Sequence, residues 1–131
     1  MVEGPTSWLE AHAGSLPAGG TALDVACWHG RHALWLARRG YEVTAIDRNP
    51  EALSVLAAEA ATRGLELKTI CADIEQPGFA FEQGAFNVIV AVNYLHRPLF
   101  PTLVKALRPE GCLVYETFTV AQARQIGRAH V

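Results

Sequence analysis

The residues with the clearest chemical potential are carboxylates that follow short apolar runs. Asp47 comes directly after the strand-like run from Tyr41 to Ile46. A carboxylate at the end of a strand can accept hydrogen bonds from both hydroxyl groups of a ribose ring, as in dinucleotide sites. The alternative is a solvated acid that caps the next helix. Because Asn49 and Pro50 already supply that helix with a cap and a first turn, we favour ribose binding.

A second candidate group is the turn between the first apolar run and the first strong helical pattern. The backbone amides from Cys27 to Gly30 and the helix start at Arg31 present hydrogen-bond donors and the positive end of a helix dipole. Such a turn suits either a carboxylate or a phosphate. Asp24 lies near the end of the apolar run, where amides of the turn can satisfy a buried carboxylate. The pattern therefore predicts a ligand site beside this turn.

Strands and helices that alternate along the chain would bring these groups together. Apolar runs predict five strands: Ala22 to Ala26, Tyr41 to Ile46, Leu65 to Cys71, Phe86 to Val92 and Cys112 to Phe118. Helical spacing and caps predict four helices: Pro5 to Ala13, His32 to Arg39, Pro50 to Arg63 and Pro98 to Leu107. This order predicts an α/β fold with a doubly wound, mostly parallel sheet. The turn at Gly30 and Asp47 then meet at the edge formed by the carboxyl ends of the strands.

The composition limits the class of protein and of partner. The 131 residues include 11 basic and 13 acidic side chains, the net charge is −2, and 50% of the residues are hydrophobic. These values predict one domain with a core, and they show no basic stripe that would indicate nucleic acid. No apolar run reaches the length of a membrane span, so no membrane partner is expected. Three widely spaced cysteines predict reduced, mostly buried thiols and hence a cytoplasmic location.

Two segments carry a resemblance to a known family. LDVACWHGRHA, followed by VTAIDRNPEAL, resembles motif I and the acidic end of the second strand in class I S-adenosylmethionine-dependent methyltransferases. The resemblance is strongest to the small-molecule branch that includes tellurite-resistance and thiopurine-type enzymes, and it covers Ala22 to Phe118. It implies a Rossmann-like sheet with strand order 3-2-1-4-5. The family's first motif is an acid followed by three alternate glycines; Asp24 and Gly30 keep this pattern, whereas Ala26 and Trp28 depart from it.

The resemblance also implies S-adenosyl-L-methionine as cofactor and gives roles to individual residues. Asp47 would bind the ribose, and Asp73 would accept a hydrogen bond from the adenine amine while Ile74 lines the base. Asp24 would help to position the methionine amino group. Arg48 would stack on the adenine or face solvent. The expected cofactor-binding residues are therefore Asp24, Ala26, Cys27, Trp28, Gly30, Asp47, Arg48, Asp73, Ile74 and Asn93.

The segment after the fourth strand is where the resemblance places the reactive methyl group and its acceptor. Asn93 and Tyr94 would hold cofactor or acceptor, and His96 is either a base or a surface residue before Pro98. Tyr94 and His96 are thus weak catalytic candidates, and no catalytic residue is assigned. The Asn-Pro-Pro-aromatic motif of amino-group methylation in nucleic acids and proteins is absent from the sequence.

Three functions compete for this sequence. The first is methyl transfer from S-adenosylmethionine to a small-molecule acceptor. The second is an NAD(P)-binding oxidoreductase domain, which the missing Gly-x-Gly-x-x-Gly pattern disfavours. The third is an inactive cofactor-binding fragment. A metal site is not expected, because Cys27, His29 and His32 do not have the spacing of a zinc signature.

The end of the sequence predicts an incomplete domain. Residues 126–131 resemble the conceptual translation of a sequencing adapter, so we expect residues 1–125 to form one methyltransferase-like domain followed by a non-native tail. The family continues with a further helix and two strands. Without them, the strand from Cys112 to Phe118 would lie at the sheet border, and Ala121 to Val131 would lack strand pairing. This chain would then be poorly soluble and weakly active or inactive.

Overall fold

The computed structural model describes residues 7–92, 96–116 and 124–128. The helices are α1 (Ser7–Ala11), α2 (Arg31–Arg38), α3 (Pro50–Thr62) and α4 (Phe100–Ala106), with short 3-10 helices at Ala13–Ser15 and Arg97–Leu99. The strands are β1 (Thr21–Val25), β2 (Glu42–Asp47), β3 (Lys68–Cys71), β4 (Phe86–Val92), β5 (Leu107–Glu116) and β6 (Arg124–Arg128). Among these residues, no helix has the length and apolar character needed to cross a lipid bilayer.

The strands form one sheet in the order β3-β2-β1-β4-β5-β6. The first five are parallel to their neighbours, and β6 is antiparallel to β5. The predicted α/β class and the strand order 3-2-1-4-5 are confirmed. Because β3 and β4 are separated by β2 and β1, residues 72–85 must cross two strands to connect them.

The prediction that residues 121–131 lack strand pairing is wrong. Arg124–Arg128 pairs with β5 through the register from Cys112↔Arg128 to Glu116↔Arg124. An edge strand presents a row of unpaired N–H and C=O groups, and backbone pairing with such an edge requires no particular side chains. The edge of β5 is therefore covered along Cys112 to Glu116, and the sheet gains a strand beyond the predicted five.

Several predicted bounds also differ from the structure. The helix predicted from Pro98 to Leu107 is divided into the 3-10 helix Arg97–Leu99 and α4, and β3 is shorter than the run from Leu65 to Cys71. Residues 108–111, which the sequence left between the helix ending at Leu107 and the strand beginning at Cys112, lie within β5; there the pairing with β4 shifts from Leu107 to Cys112, and Glu110 has a φ of 64°. The residues between Leu107 and Cys112 are extra residues in β5 relative to β4. They form an irregularity in the strand, because the pairs on both sides of them, Phe86↔Leu107 and Val88↔Cys112, are kept.

Two apolar clusters cover the two faces of the sheet. Along β4, Val88 and Val90 belong to one cluster, and Ile89 and Ala91 belong to the other. Such a continuous apolar strand is typical of a parallel sheet that is buried on both faces. Helices α2 and α3 pack on the first face. Helix α4 and aromatic side chains from the crossover between β3 and β4, which contains no helix, pack on the second face.

Candidate cofactor-binding cleft

A cleft of about 320 Å³ lies at the carboxyl ends of β1, β2 and β3. Its walls come from the turn after β1, the end of β2 and the segment after β3. The residues that line it are Ala26, Trp28, Ile46, Asp47, Arg48, Asn49, Ala72, Asp73, Ile74 and Glu75. Parallel strands bring their carboxyl ends to one edge, and open α/β sheets bind ligands there. The fold thus places Asp47 and Asp73, residues from two different loops, in one cleft.

Asp47 connects the two turns that border the cleft. Its Oδ2 atom accepts a hydrogen bond of 2.8 Å from the backbone amide of Trp28. Its Oδ1 atom accepts one of 2.9 Å from the amide of Asn49. An ionised carboxylate has about four acceptor positions. Both oxygens therefore keep capacity for a further donor, such as the pair of ribose hydroxyls predicted from the sequence.

The turn after β1 adopts a strained backbone at the positions where the family's motif has glycine. Ala26 and Trp28 both have a φ of 53°, and Gly30 has a φ of 80°. The left-handed region costs a residue with a side chain about 1–2 kcal/mol. The turn is held by hydrogen bonds from the Cys27 amide to the Ile46 carbonyl and from the Gly30 amide to the Cys27 carbonyl, at 3.0 and 2.8 Å. The replacement of glycine therefore strains the backbone at Ala26 as well as at Trp28.

The indole of Trp28 is 55% exposed and contributes to the wall of the cleft. It stacks on the imidazole of His29, with ring centroids 4.7 Å apart and an interplanar angle of 22°. A large aromatic side chain that remains exposed beside a cleft adds an apolar surface that a ligand can contact. The side chain of Trp28 thus lies at the cleft itself.

Gly30 serves packing and is not among the residues that line the cleft. A Cβ atom added there would lie 2.4 Å from Cδ1 of Leu56 in α3. The absence of a side chain therefore lets α3 approach the turn. The sequence predicted Gly30 as a cofactor-binding residue, whereas the structure places it behind the wall of the cleft.

Asp24 is 1% exposed and caps helix α2 from within the sheet. The N-cap residue of α2 is Gly30, which has no side chain, and Oδ2 of Asp24 accepts a hydrogen bond of 3.0 Å from the amide of Ala33 in the first turn. Burial raises the pKa of Asp24 to about 8; the Ala33 hydrogen bond and Arg31 act in the opposite direction, and Asp47 adds to the increase. Asp24 is absent from the residues that line the cleft, and its visible role is to cap α2.

Cys27 is also buried beside this turn. Its thiol is 6% exposed and contacts the carbonyl oxygen of Trp28 at 3.6 Å. Desolvation by burial, with Asp24 and Asp47 nearby, raises the pKa of the Cys27 thiol. A protonated, buried thiol is a poor nucleophile and a poor metal ligand. Cys27, which the sequence predicted as a cofactor-binding residue, does not line the cleft, and its backbone instead holds the turn through the hydrogen bonds with Ile46 and Gly30.

The segment after β3 supplies the far wall of the cleft. Oδ1 of Asp73 accepts a hydrogen bond of 2.9 Å from the amide of Glu75, which makes a tight turn. Ile74 is 8% exposed and packs in the apolar cluster that also contains Ile46. Arg48 is exposed at the rim, so both predicted alternatives, adenine stacking and solvent exposure, stay open.

Glu75 is a cleft residue that sequence reasoning did not assign. Its Oε1 atom lies 3.5 Å from Nδ1 of His96, one of the two weak catalytic candidates. The cleft lining also includes Ile46, Asn49 and Ala72, which were not assigned either. The available signal was that Ile46 ends a predicted strand and that the other three residues follow the end of one within a few positions. The other candidates in this region, Asn93 and Tyr94, lie outside the described residues.

Metal ligands do not assemble near the turn within the part of the chain that the structure describes. No group of three or more His, Cys, Asp or Glu side chains there is arranged to hold a metal ion. His32 is buried in α2, and desolvation lowers its pKa to about 4, so its imidazole is neutral near pH 7. The free cysteines Cys27 and Cys112 are buried, and Cys71 is exposed.

Comparison with known proteins agrees with this geometry. Residues 22–111 match the family described as a methyltransferase domain. The putative methyltransferase YqeM of Bacillus subtilis (strain 168) is 32% identical over 130 residues, and the match covers 89% of this chain and 50% of that relative. The ubiquinone biosynthesis O-methyltransferase of Xanthomonas axonopodis pv. citri (strain 306) is 32% identical over 107 residues, which cover 77% of this chain and 44% of the relative. This chain therefore spans half or less of the length of these relatives.

A solved structure shows the same fold. Coclaurine N-methyltransferase, bound to N-methylheliamine and SAH, superposes with a TM-score of 0.74 at 18% identity; the match covers 85% of this chain and 34% of that one. The family match extends over both turns that border the cleft and over Asp24, Asp47 and Asp73. The chain belongs to the class I S-adenosylmethionine-dependent methyltransferases.

Proposed function

We propose that this chain binds S-adenosyl-L-methionine in the cleft and that the protein transfers its methyl group to a small-molecule acceptor. The observation that carries the proposal is the carboxylate of Asp47, which joins both turns at the cleft and keeps acceptor capacity on each oxygen. A ribose diol needs two acceptors in this arrangement. The bound SAH of the fold neighbour supports the same cofactor for this chain.

The remaining walls of the cleft fit an adenosyl group. Ile46 and Ile74 provide apolar surface, and Asp73 lies beside Ile74 at the end of the neighbouring strand. We assign the adenine ring to the space between these side chains, with Asp73 as acceptor for its amine. Ala26 and Trp28 line the side of the cleft that belongs to the turn after β1.

Methyl transfer then requires little from the protein beyond positioning the cofactor and the acceptor and excluding water from them. When bound, the cofactor supplies an activated methyl group on a sulfonium leaving group. Asp47 and the turn after β1 orient the adenosyl portion, and the apolar side chains exclude water from it. Holding two reactants in line removes most of the entropic barrier of a bimolecular step.

The composition and one of the relatives support a small acceptor. The ubiquinone biosynthesis O-methyltransferase is similar over 77% of this chain. The near balance of 11 basic and 13 acidic residues gives no excess of positive charge of the kind that attracts nucleic acid. We propose a free small molecule as acceptor, without a nucleic-acid or membrane partner, and a cytoplasmic location.

Parallel calorimetric titrations with S-adenosylhomocysteine and NADH test the proposal. We expect the first ligand to bind and the second not to bind. Replacing Asp47 with Ala removes hydrogen bonds to a charged group and should weaken S-adenosylhomocysteine binding by about 1.5–3 kcal/mol. Binding of NADH alone would favour the oxidoreductase alternative, and binding of neither ligand would favour an inactive fragment.

Glu42 offers a matched control for Asp47. It is an exposed acid at the first position of β2, and Asp47 is the last residue of the same strand. Removing the Glu42 charge changes the net charge by the same amount as removing the Asp47 charge. The change, however, lies at the amino end of β2, away from the cleft. Glu42→Ala should bind S-adenosylhomocysteine like the parent. Equal binding by Asp47→Ala and Glu42→Ala would contradict the ribose assignment.

A further inference from the structure

Glu75 and His96 meet although their strands are not neighbours. Glu75 follows β3 and His96 follows β4, and both β2 and β1 lie between these strands in the sheet. Nδ1 of His96 is nevertheless 3.5 Å from Oε1 of Glu75. The contact therefore passes across the carboxyl ends of two strands, at the edge where the cleft lies.

Both residues are held by their backbones. The Glu75 amide donates to the carboxylate of Asp73 at 2.9 Å, and the carbonyl of His96 accepts from the Leu99 amide at 3.0 Å. Ile74 and Leu99, which lie close to the pair in sequence, are 8% and 4% exposed in one apolar cluster. Each of the two side chains thus extends from a backbone that makes a hydrogen bond close to a buried residue.

The pair is accessible to a substrate. The side chain of His96 is 30% exposed, that of Glu75 is 45% exposed, and Glu75 also lines the cleft. A separation of 3.5 Å is longer than a usual N–H···O hydrogen bond. Hydrogen bonds between catalytic groups are often long without substrate and shorten in the complex.

We propose that His96 is the general base for the methyl acceptor and that Glu75 is its positioning residue. The proposal rests on the methyl transfer proposed above and narrows its acceptor to a molecule that must lose a proton, of the hydroxyl or thiol class. A proton on Nδ1 faces Glu75, and Nε2 then carries the lone pair that accepts the proton of the acceptor. The partner of one imidazole nitrogen determines the tautomer in this way.

The step balances in atoms and electrons. The O–H or S–H bond of the acceptor breaks, and its proton goes to Nε2 of His96. An electron pair of the acceptor oxygen or sulfur forms the new bond to the methyl carbon. The bond between that carbon and the sulfonium sulfur breaks, and its electron pair remains on sulfur as a neutral thioether. The imidazolium that results is stabilised by the Glu75 carboxylate and later releases its proton to water.

Two phenols of different acidity, used as methyl acceptors, distinguish a general base at position 96 from a residue with only a structural role. The probes are 4-nitrophenol, which is largely ionised at pH 8, and 4-methylphenol, which is not. His96→Gln should reduce kcat for 4-methylphenol by about 10²–10⁴-fold, the usual contribution of a general base, with little change in KM. The loss for 4-nitrophenol should be less than about tenfold, because that acceptor needs no base. Equal losses for both phenols would overturn the role as base.

Variants of Glu75 test the positioning role, with Glu82 as a matched control. Glu82 is an exposed acid in the same crossover and does not line the cleft. Glu75→Ala should lower kcat for 4-methylphenol, and Glu75→Gln should restore part of it, because its amide oxygen can still accept from Nδ1 but carries no charge that stabilises the imidazolium. Glu82→Gln should match the parent. A Glu75→Ala variant as active as the parent would contradict the positioning role.

A spectroscopic measurement decides the proposal even if neither phenol is methylated. In protein labelled with ¹⁵N-histidine, the signal that disappears in His96→Gln belongs to His96. Its nitrogen shifts should show the neutral tautomer protonated on Nδ1 in the parent and in Glu75→Gln, and a mixture in Glu75→Ala. Protonation on Nε2 in the parent would overturn the proposal. Failure of S-adenosylhomocysteine to bind would instead refute the proposed function, so the two failures are distinguishable.

Discussion

The turns after β1 and after β2 both connect a strand to the start of a helix, but they do so in opposite ways. After β2, Asn49 has an extended backbone with a φ of −95°, and its side chain accepts from the amides of Glu51 and Ala52 at 2.9 and 3.2 Å. Pro50 then occupies the first position of α3. This turn satisfies the helix locally and without strain.

The turn after β1 satisfies none of these local preferences. Two residues with side chains have positive φ, the N-cap residue is Gly30, and the cap of α2 comes from Asp24 in the sheet. Strain of this kind persists only where the surrounding structure enforces it, and it is concentrated at functional sites. The comparison teaches that a turn can start a helix from its own side chains without strain, as after β2, or can depend on a side chain of the sheet and keep backbone strain, as after β1, although residues of both turns line the cleft.

The largest expected effect is a pH dependence caused by Asp24. Its pKa is about 8 in the folded protein and 3.8 as an unperturbed value, so the folded state holds the proton more tightly between these limits. The proton on Asp24 stabilises the folded state fully below pH 4. This stabilisation decreases as the pH rises from 4 to 8, and it is lost above 8. The slope is at most about 1.4 kcal/mol per pH unit, and the total is on the order of 5 kcal/mol.

Urea unfolding of the parent and of Asp24→Asn between pH 4 and pH 9 measures this effect. Asn keeps an oxygen that can accept from the Ala33 amide but carries no charge. The free energy of unfolding should fall with pH in the parent and much less in the variant. The same slope in both proteins would show that Asp24 does not titrate in this range.

The next largest effect concerns the contact between the strained turn and α3. In Gly30→Ala, the new methyl group would meet Leu56 at 2.4 Å, on a backbone with a φ of 80°. Overpacking and a left-handed side chain together should cost about 3 kcal/mol in the free energy of unfolding.

Gly64→Ala is the control for Gly30→Ala. Gly64, which follows α3, has a φ of 68°, and nothing lies within 4 Å of its added Cβ atom. This variant should lose only about 1 kcal/mol, the cost of the backbone conformation. Equal losses at both positions would mean that the Leu56 contact relaxes without cost.

Trp28→Gly removes both the strain and the indole from the turn. We expect an increase of about 1 kcal/mol in the free energy of unfolding because glycine tolerates the left-handed backbone. We also expect tighter binding of S-adenosylhomocysteine, measured by calorimetry, because the backbone can then approach the ligand. Trp28→Ala keeps the backbone strain and loses only the indole, so it separates the two causes. Weaker binding by both variants would show that the indole contacts the ligand.

The relaxed turn gives the smallest effect. Asn49→Ala removes the cap of α3 and should lower the free energy of unfolding by about 1 kcal/mol in urea unfolding. Asn49→Asp retains an acceptor for the same amides and should remain close to the parent. A loss in Asn49→Asp as large as that in Asn49→Ala would contradict the capping role.

Elements whose form depends on their own residues were predictable from the sequence. The apolar run from Phe86 to Val92 predicted β4 with its observed bounds, and Asn49-Pro50 predicted the start of α3. The sequence also placed Asp47 at a crevice beside the turn after β1, because parallel strands share their carboxyl edge. The prediction was wrong at the end of the chain, where β6 pairs with the edge of β5 through backbone groups that carry no side-chain pattern.

The sequence by itself determined the order of the elements, the parallel sheet and the acids at the edge formed by the carboxyl ends of its strands. These follow from periodic burial and from stereochemistry near each residue. Only the tertiary structure decided that Asp24 caps α2 at Ala33 and that Glu75 reaches His96 across the ends of two strands. Such contacts depend on how the crossovers place distant segments, and the residue types at either end do not encode that path.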